Sequence, residues 1–113
     1  MKQNHTMQLN PRPFQKVLSG EKDIELRFFD EKRKKIHTGD TIQFIHRETK
    51  EVITCMVMGL IIRDSFASVF DEGIAKKRAG FDPGDNVDVV MSQYYGQEEI
   101  KKQRVVGIVL LLT

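Results

Sequence analysis

Much of what would quickly betray a function is missing from this chain. It carries a single cysteine, Cys55, which excludes an internal disulfide and any metal site built from cysteines. That residue sits in the apolar run TCMVMGLII, reads as a small buried hydrophobe, and suits the reducing cytoplasm, where the protein is expected. His5, His37 and His46 are scattered at no spacing that builds a metal site, so no metal and no cofactor is expected. No Gly-rich phosphate loop, Gly-x-Ser-x-Gly elbow or Cys–His pairing is present to suggest nucleotide-loop binding or nucleophilic catalysis. The longest apolar stretches, Val52–Ile62 and Val105–Leu112, are too short to span a bilayer. MKQNHTMQL lacks the apolar centre of a signal peptide, and no membrane partner is expected. Charge of one sign is also missing: 18 Lys and Arg stand against 16 Asp and Glu, so the field of the whole molecule names no partner. With no repeat and no low-complexity linker, residues 1–113 read as one domain.

The local patterns then give an order of elements. Met7–Leu9 reads as a short first strand. In NPRPFQKVLSG, Asn10 can cap a helix, Pro11 suits its first position, Phe14, Val17 and Leu18 share a face, and Gly20 ends it. DIELRF alternates with period two, the mark of a strand. A basic loop or single helical turn, EKRKK, runs to a Gly39-Asp40 turn. TIQFIHR and the long EVITCMVMGLIIR are strands, with Gly59 marking a bulge or bend in the second. Ser65 can cap a short helix over SFASVFDEG; AKKRAGFDPGD reads as a connection; Asp85 can cap a helix in which Val87, Val90, Met91 and Tyr94 form the core stripe. RVVGIVLLL is nearly continuous in apolar residues and must be a central strand covered on both sides. The order β-α-β-β-β-α-α-β, with strands that are not parallel, argues for α+β: a small curved sheet or partial barrel plugged or flanked by helices.

The stretch that carries chemistry is GEKDIELR, Gly20–Arg27. Asp23, Glu25 and Arg27 fall on one face of the strand, with Lys22 in the turn before it. One reading is a solvated strand face whose ion pairs are worth less than about 1 kcal/mol each. The other is the floor of a cleft, with Lys22 and Arg27 binding a phosphate or carbonyl and Glu25 accepting from an exocyclic amine or acting as a base. Tyr95, one step off the helical stripe that takes Tyr94 into the core, is the better candidate to stack a base. Ser65 is a helix cap that could also touch a ligand. Arg33, Lys34 and Lys35 offer phosphate contacts.

Gly20, Lys22, Glu25 and Arg27 reproduce the spacing Gly-x-Lys-x-x-Glu-x-Arg between a helix and a strand. With LNPRPFQKVLSGEKDIELRFFDEKRKKIHTGDTIQF and the late SQYYG…VVGIVLL, the chain resembles the ASCH domain family of the PUA-like superfamily; the stretch Ala75–Val89 matches least. The resemblance implies a β-barrel with flanking helices and a cleft lined by Lys22, Glu25 and Arg27. It also implies RNA or a nucleotide as partner; on the reading of the residues themselves, Ser65 and Tyr95 would lie beside that ligand and Arg33, Lys34 and Lys35 on its phosphates. Some relatives are enzymes. One small group hydrolyses N-acetylated cytidine with a lysine, a threonine and a glutamate; Lys22 matches the lysine, Glu25 stands at the threonine position, and the glutamate aligns roughly with Ala79. Others are associated with RNA cleavage. Lys22 as base or nucleophile and Glu25 as proton shuttle are therefore the catalytic candidates of an alternative, nucleoside-processing hydrolase. A protein-docking domain, its partner unknown, is a third possibility.

Overall fold

The computed structural model describes residues 2–113. Five strands form one curled, half-barrel sheet: β1 (Asn4–Leu9), β2 (Ile24–Phe28), β3 (Thr41–His46), β4 (Val52–Arg63) and β5 (Val105–Leu112). Their lateral order is β1-β3-β4-β5-β2. β3, β4 and β5 are joined antiparallel, and β2 pairs antiparallel with β5. β1 runs parallel to β3, against the expectation of no parallel strands; helix α1 (Pro11–Leu18) and β2 intervene between them in the chain and supply the crossover a parallel pair requires.

The sheet separates two apolar layers. Inside the curl lie Met7, Leu9, Ile42, Phe44, Cys55, Val57, Val106 and Ile108, closed by Phe14 and Val17 of α1. On the other face Ile24, Leu26, Phe28 and Val105 meet Phe66, Val69, Phe81, Val87 and Met91 from the segment between β4 and β5. β5 is thus covered on both sides over its first half, as its composition requires, while Leu111 and Leu112 emerge at its end. β4 shows how a long strand keeps its inner face apolar. Cys55 and Val57 point inward before the bulge, and Leu60 and Ile62 do so after it. The register shift between Val57 and Gly59 inserts one residue and switches the inward parity from odd to even.

The connections depart from the periodic reading. SFASVFDEG forms only a 3-10 turn, Ala67–Phe70. A second 3-10 turn, Lys76–Ala79, occupies what reads as plain connection, and the basic loop holds a third at Arg33–Lys35. The helix after Asp85 is two helices, α2 (Val87–Met91) and α3 (Gln97–Lys102). Its cap is Asn86, whose side chain accepts from the Val89 amide; Asp85 instead accepts from the amide of Asp82. Because α2 stops at Met91, the stripe does not reach Tyr94, which is 69% exposed and not core. At the start of α1, Asn10 holds the cap position without a side-chain cap bond.

One polar knot fastens the first strand to the sheet. The buried Asp40 carboxylate accepts from the amides of Gln3 (3.0 Å) and His37 (2.9 Å) and from His5 Nε2 (2.8 Å). The His5 bond, with the two amide bonds, outweighs burial and holds this carboxyl well below the usual carboxylate range.

The outer layer packs tightly against Gly107 of β5. A Cβ there would lie 2.8 Å from Cγ1 of the buried Val69 and 3.4 Å from Cγ2 of Ile24. Val69 is stiff at χ1 and enclosed, so Gly107→Ala is expected to destabilise the fold by about 1–3 kcal/mol. Urea unfolding should show a lower midpoint at unchanged slope; an unaltered midpoint would mean the outer layer yields freely.

Candidate functional site

β1 and β2 are the two edges of the half-barrel, and they do not pair. Between them opens a cleft of about 650 Å³. α1 and β1 form one side, β2 the floor, and the segment from Ala79 to Tyr95 the other side.

The alternation of β2 decides what the floor presents. Ile24, Leu26 and Phe28 face the outer apolar layer. Glu25 and Arg27 therefore face the inside of the curl, directly opposite Ile108 and Val106 of the inner core. The polar face of DIELRF is not the solvated one: Glu25 is only 5% exposed. Its two oxygens are divided between two cations. Lys22 Nζ lies 2.7 Å from Oε1, and Arg27 donates to Oε2 from Nε (2.9 Å) with Nη2 in ion-pair contact with the same oxygen (2.8 Å). Burial alone pushes this carboxyl's pKa up, but the charges of Lys22 and Arg27 and their hydrogen bonds prevail, and the net shift is downward. Asp23, expected on the same face, precedes the strand and is taken in a two-point pair by Arg78 (2.8 and 3.1 Å).

Arg27 also joins the two open edges. Its Nη2 donates to the backbone carbonyl of Gln8 on β1 (3.0 Å), and the side-chain oxygen of Gln8 accepts from Arg47 Nη1 (3.2 Å). A continuous chain, Lys22–Glu25–Arg27–Gln8–Arg47, thus runs across the cleft. Lys32 serves the same edge farther along, donating to the carbonyl of Thr6 (2.8 Å).

Of the residues expected in the site, Lys22, Glu25, Arg27 and Tyr95 line the cleft. Tyr95 does so while packed on Phe28 (centroids 4.3 Å apart) and stacked with Phe66 (5.8 Å), so one flank of its ring is already covered. Ser65 lies outside the lining; its hydroxyl is bound to the Ser68 hydroxyl (3.0 Å) and accepts from the Ser68 amide, fixing the 3-10 turn. Arg33, Lys34 and Lys35 contribute nothing to the cleft wall. Arg33 is bound to Asp30 (3.0 Å) and Lys34 reaches Glu31 (3.3 Å). Ala79, the position aligned with a catalytic glutamate, lines the cleft without a carboxylate. Periodicity missed Gln8, Arg12, Lys16, Arg47, Asp82, Asp85 and Tyr94. They sit at element ends and in loops, where spacing has no phase; only the PRP stretch around Arg12, at a helix start, offered a local signal. Among the described residues no group of three or more His, Cys, Asp and Glu could hold a metal ion.

The comparisons agree with this architecture. The ASCH domain profile matches residues 7–110, and the chain belongs to the ASCH domain family. ASCH domains are PUA-like modules commonly linked to RNA binding. The crystal structure of hypothetical protein PH0355 is 30% identical, with complete coverage of both chains and a TM-score of 0.75. The solution structure of protein PF0455 from Pyrococcus furiosus is 25% identical, with 99% of this chain and 97% of that one covered and a TM-score of 0.66. ASCH from Zymomonas mobilis shares the fold at 14% identity and a TM-score of 0.64, over 94% of this chain and 65% of that one. A search of curated proteins gave no match.

The downward shift at Glu25 fixes the sign of a pH effect. The folded pKa lies below that of the unfolded chain, about 4.3, so the ionised carboxylate stabilises the fold above that pH. The contribution is lost as pH falls through and below it. Unfolding free energy measured from pH 7 to pH 3 is expected to fall on the acid side in the wild type and to fall less steeply in Glu25→Gln, Asp40 supplying part of the remaining slope. Equal acid slopes in the two proteins would show that the Lys22 and Arg27 pairs give no net stability.

Proposed function

We propose that residues 1–113 act as one RNA- or nucleotide-binding module whose ligand enters the β1–β2 cleft. The observation that carries this reading is the prearranged floor. Glu25 fixes Lys22 and Arg27 by 2.7–2.9 Å contacts. Lys22 keeps two N–H groups and Arg27 its Nη1 group beyond the bonds described, so the floor offers oriented donors that need no further ordering when a base edge or carbonyl arrives. The volume suits a ligand the size of one nucleotide. Tyr94, 69% exposed on the cleft wall, presents the free aromatic face that base stacking uses, with Tyr95 behind it. A longer strand leaving the cleft along β1 would meet Arg33, Lys34 and Lys35, because Lys32 of the same loop is bound to that edge. A buried, unreactive Cys55, its thiol pushed up to about 11 by burial, suits the cytoplasmic location we assign.

The test is an amide titration of labelled protein with nucleosides, mononucleotides and short RNA oligomers. Shifts are expected at Lys22–Arg27, Tyr94 and Tyr95. Lys22→Ala should weaken the best ligand by about tenfold or more, and Arg27→Lys should do likewise, since lysine keeps the charge and loses the fork that spans Glu25 and Gln8. Unchanged binding in both variants, with their folds intact, would remove the cleft from the function. Product formed from N-acetylated cytidine or from RNA, and abolished by Lys22→Ala, would convert the module into a hydrolase.

A further inference from the structure

The charges of the cleft are sorted by wall. Lys22 and Arg27 are held on Glu25, and Lys16 donates to the carbonyl of Gly80 (3.0 Å). Two lining cations remain, Arg12 in the first turn of α1 and Arg47 just past β3. Neither pairs with a carboxylate among the described residues. Both are exposed, and both are anchored beside the end of β1. The Arg47 amide donates to the Leu9 carbonyl (2.9 Å), and Arg12 lies just past Asn10, with no acid in the first turn of α1. Gln8 Oε1 holds one terminal nitrogen of Arg47 at 3.2 Å and leaves the rest of the guanidinium free. The acids not paired with cleft cations, Asp82 and Asp85, lie on the facing segment.

Building on the proposed nucleotide reading, we infer that Arg12 and Arg47 form a phosphate subsite at the β1 end of the cleft, which makes the ligand a phosphorylated nucleoside unit held in one orientation. Two guanidinium groups free of carboxylates suit a phosphate, which accepts paired, charge-assisted hydrogen bonds. Asp82 and Asp85 repel a phosphate and accept from ribose hydroxyls or an exocyclic amine. A polyanion laid along the whole cleft would bring phosphates onto those acids; one phosphate at the Arg12–Arg47 end does not. The orientation therefore follows from charge: phosphate at β1, sugar or base edge toward Asp82 and Asp85. Gln8 is a positioning residue here, tying Arg47 to the Arg27 bridge.

The experiment compares the four common ribonucleosides, their 5′-monophosphates and dinucleotides with one internal phosphodiester. Affinity is measured for the wild type, Arg12→Ala/Arg47→Ala and Arg12→Lys/Arg47→Lys, with amide shifts at Lys22–Arg27 reporting cleft occupancy. In the wild type a phosphorylated ligand is expected to bind about tenfold more tightly than its nucleoside. That preference should vanish in the double alanine variant while nucleoside affinity stays within about twofold, and return in part with lysine. A preference for the monophosphate would identify a free nucleotide, and one for the dinucleotide a strand; either supports the subsite. Nucleosides that shift Lys22–Arg27 with no phosphate preference, or a preference surviving loss of both arginines, would overturn the subsite and leave the nucleotide reading intact. Cleft amides unmoved by every ligand at millimolar concentration would overturn both.

Discussion

The half-barrel is held at its open side by one guanidinium. β1 and β2 face each other without ladder bonds, and Arg27 reaches from one to the other, bound to Glu25 on its own strand and to the Gln8 carbonyl across the gap. An unpaired sheet edge invites pairing with another chain. Here side-chain cations from Arg27 and Lys32 occupy alternate carbonyls of that edge, Gln8 and Thr6. The same arrangement keeps the strands apart, and their separation is the cleft. A closed ladder would satisfy the backbone and remove the site.

The buried carboxylate sets the electrostatics of that gap. Removing a carboxylate and two cations from water is costly, and a pair of this kind is weak evidence of stability. Its effect is geometric: Lys22 and Arg27 are fixed on Glu25 in the floor of the cleft. One carboxylate answers two cations, so the floor keeps a positive charge, and around it arginines lie by β1 and aspartates across from it. A net charge of +2 conceals this sorting completely.

Strand existence and the polar centre are legible because they rest on period two or, for the last strand, on an unbroken apolar run. DIELRF appears where alternation places it, RVVGIVLLL where the apolar run does, and the Gly59 irregularity where the pattern of its strand breaks. What alternation could not supply was which face of β2 would be covered by what. The second apolar layer comes from Phe66, Val69, Phe81 and Val87, residues whose local sequence forms only 3-10 turns and a five-residue helix. Short turns lack phase, so their inward residues cannot be projected. The Tyr94–Tyr95 pair shows the cost. A stripe extended by three residues beyond Met91 puts Tyr94 in the core, whereas the helix ends at Met91 and Tyr95 takes the covered position. A capping serine such as Ser65 and a basic run such as Arg33, Lys34 and Lys35 mark a helix start and a loop, and neither tells which side of a sheet the segment lies on.

The two-faced character of β2 also constrains how the chain finds its partner. Shifting β2 by one residue along β5 would exchange its faces, sending Ile24, Leu26 and Phe28 into the wet cleft and driving Glu25 and Arg27 into the packed layer around Phe66 and Val69. No neighbouring register satisfies both faces. The charged pair therefore serves as an alignment key for the sheet's most distant pairing in sequence, between residues near 25 and residues near 108, and it discriminates against the slipped alternatives from which misassembly would begin.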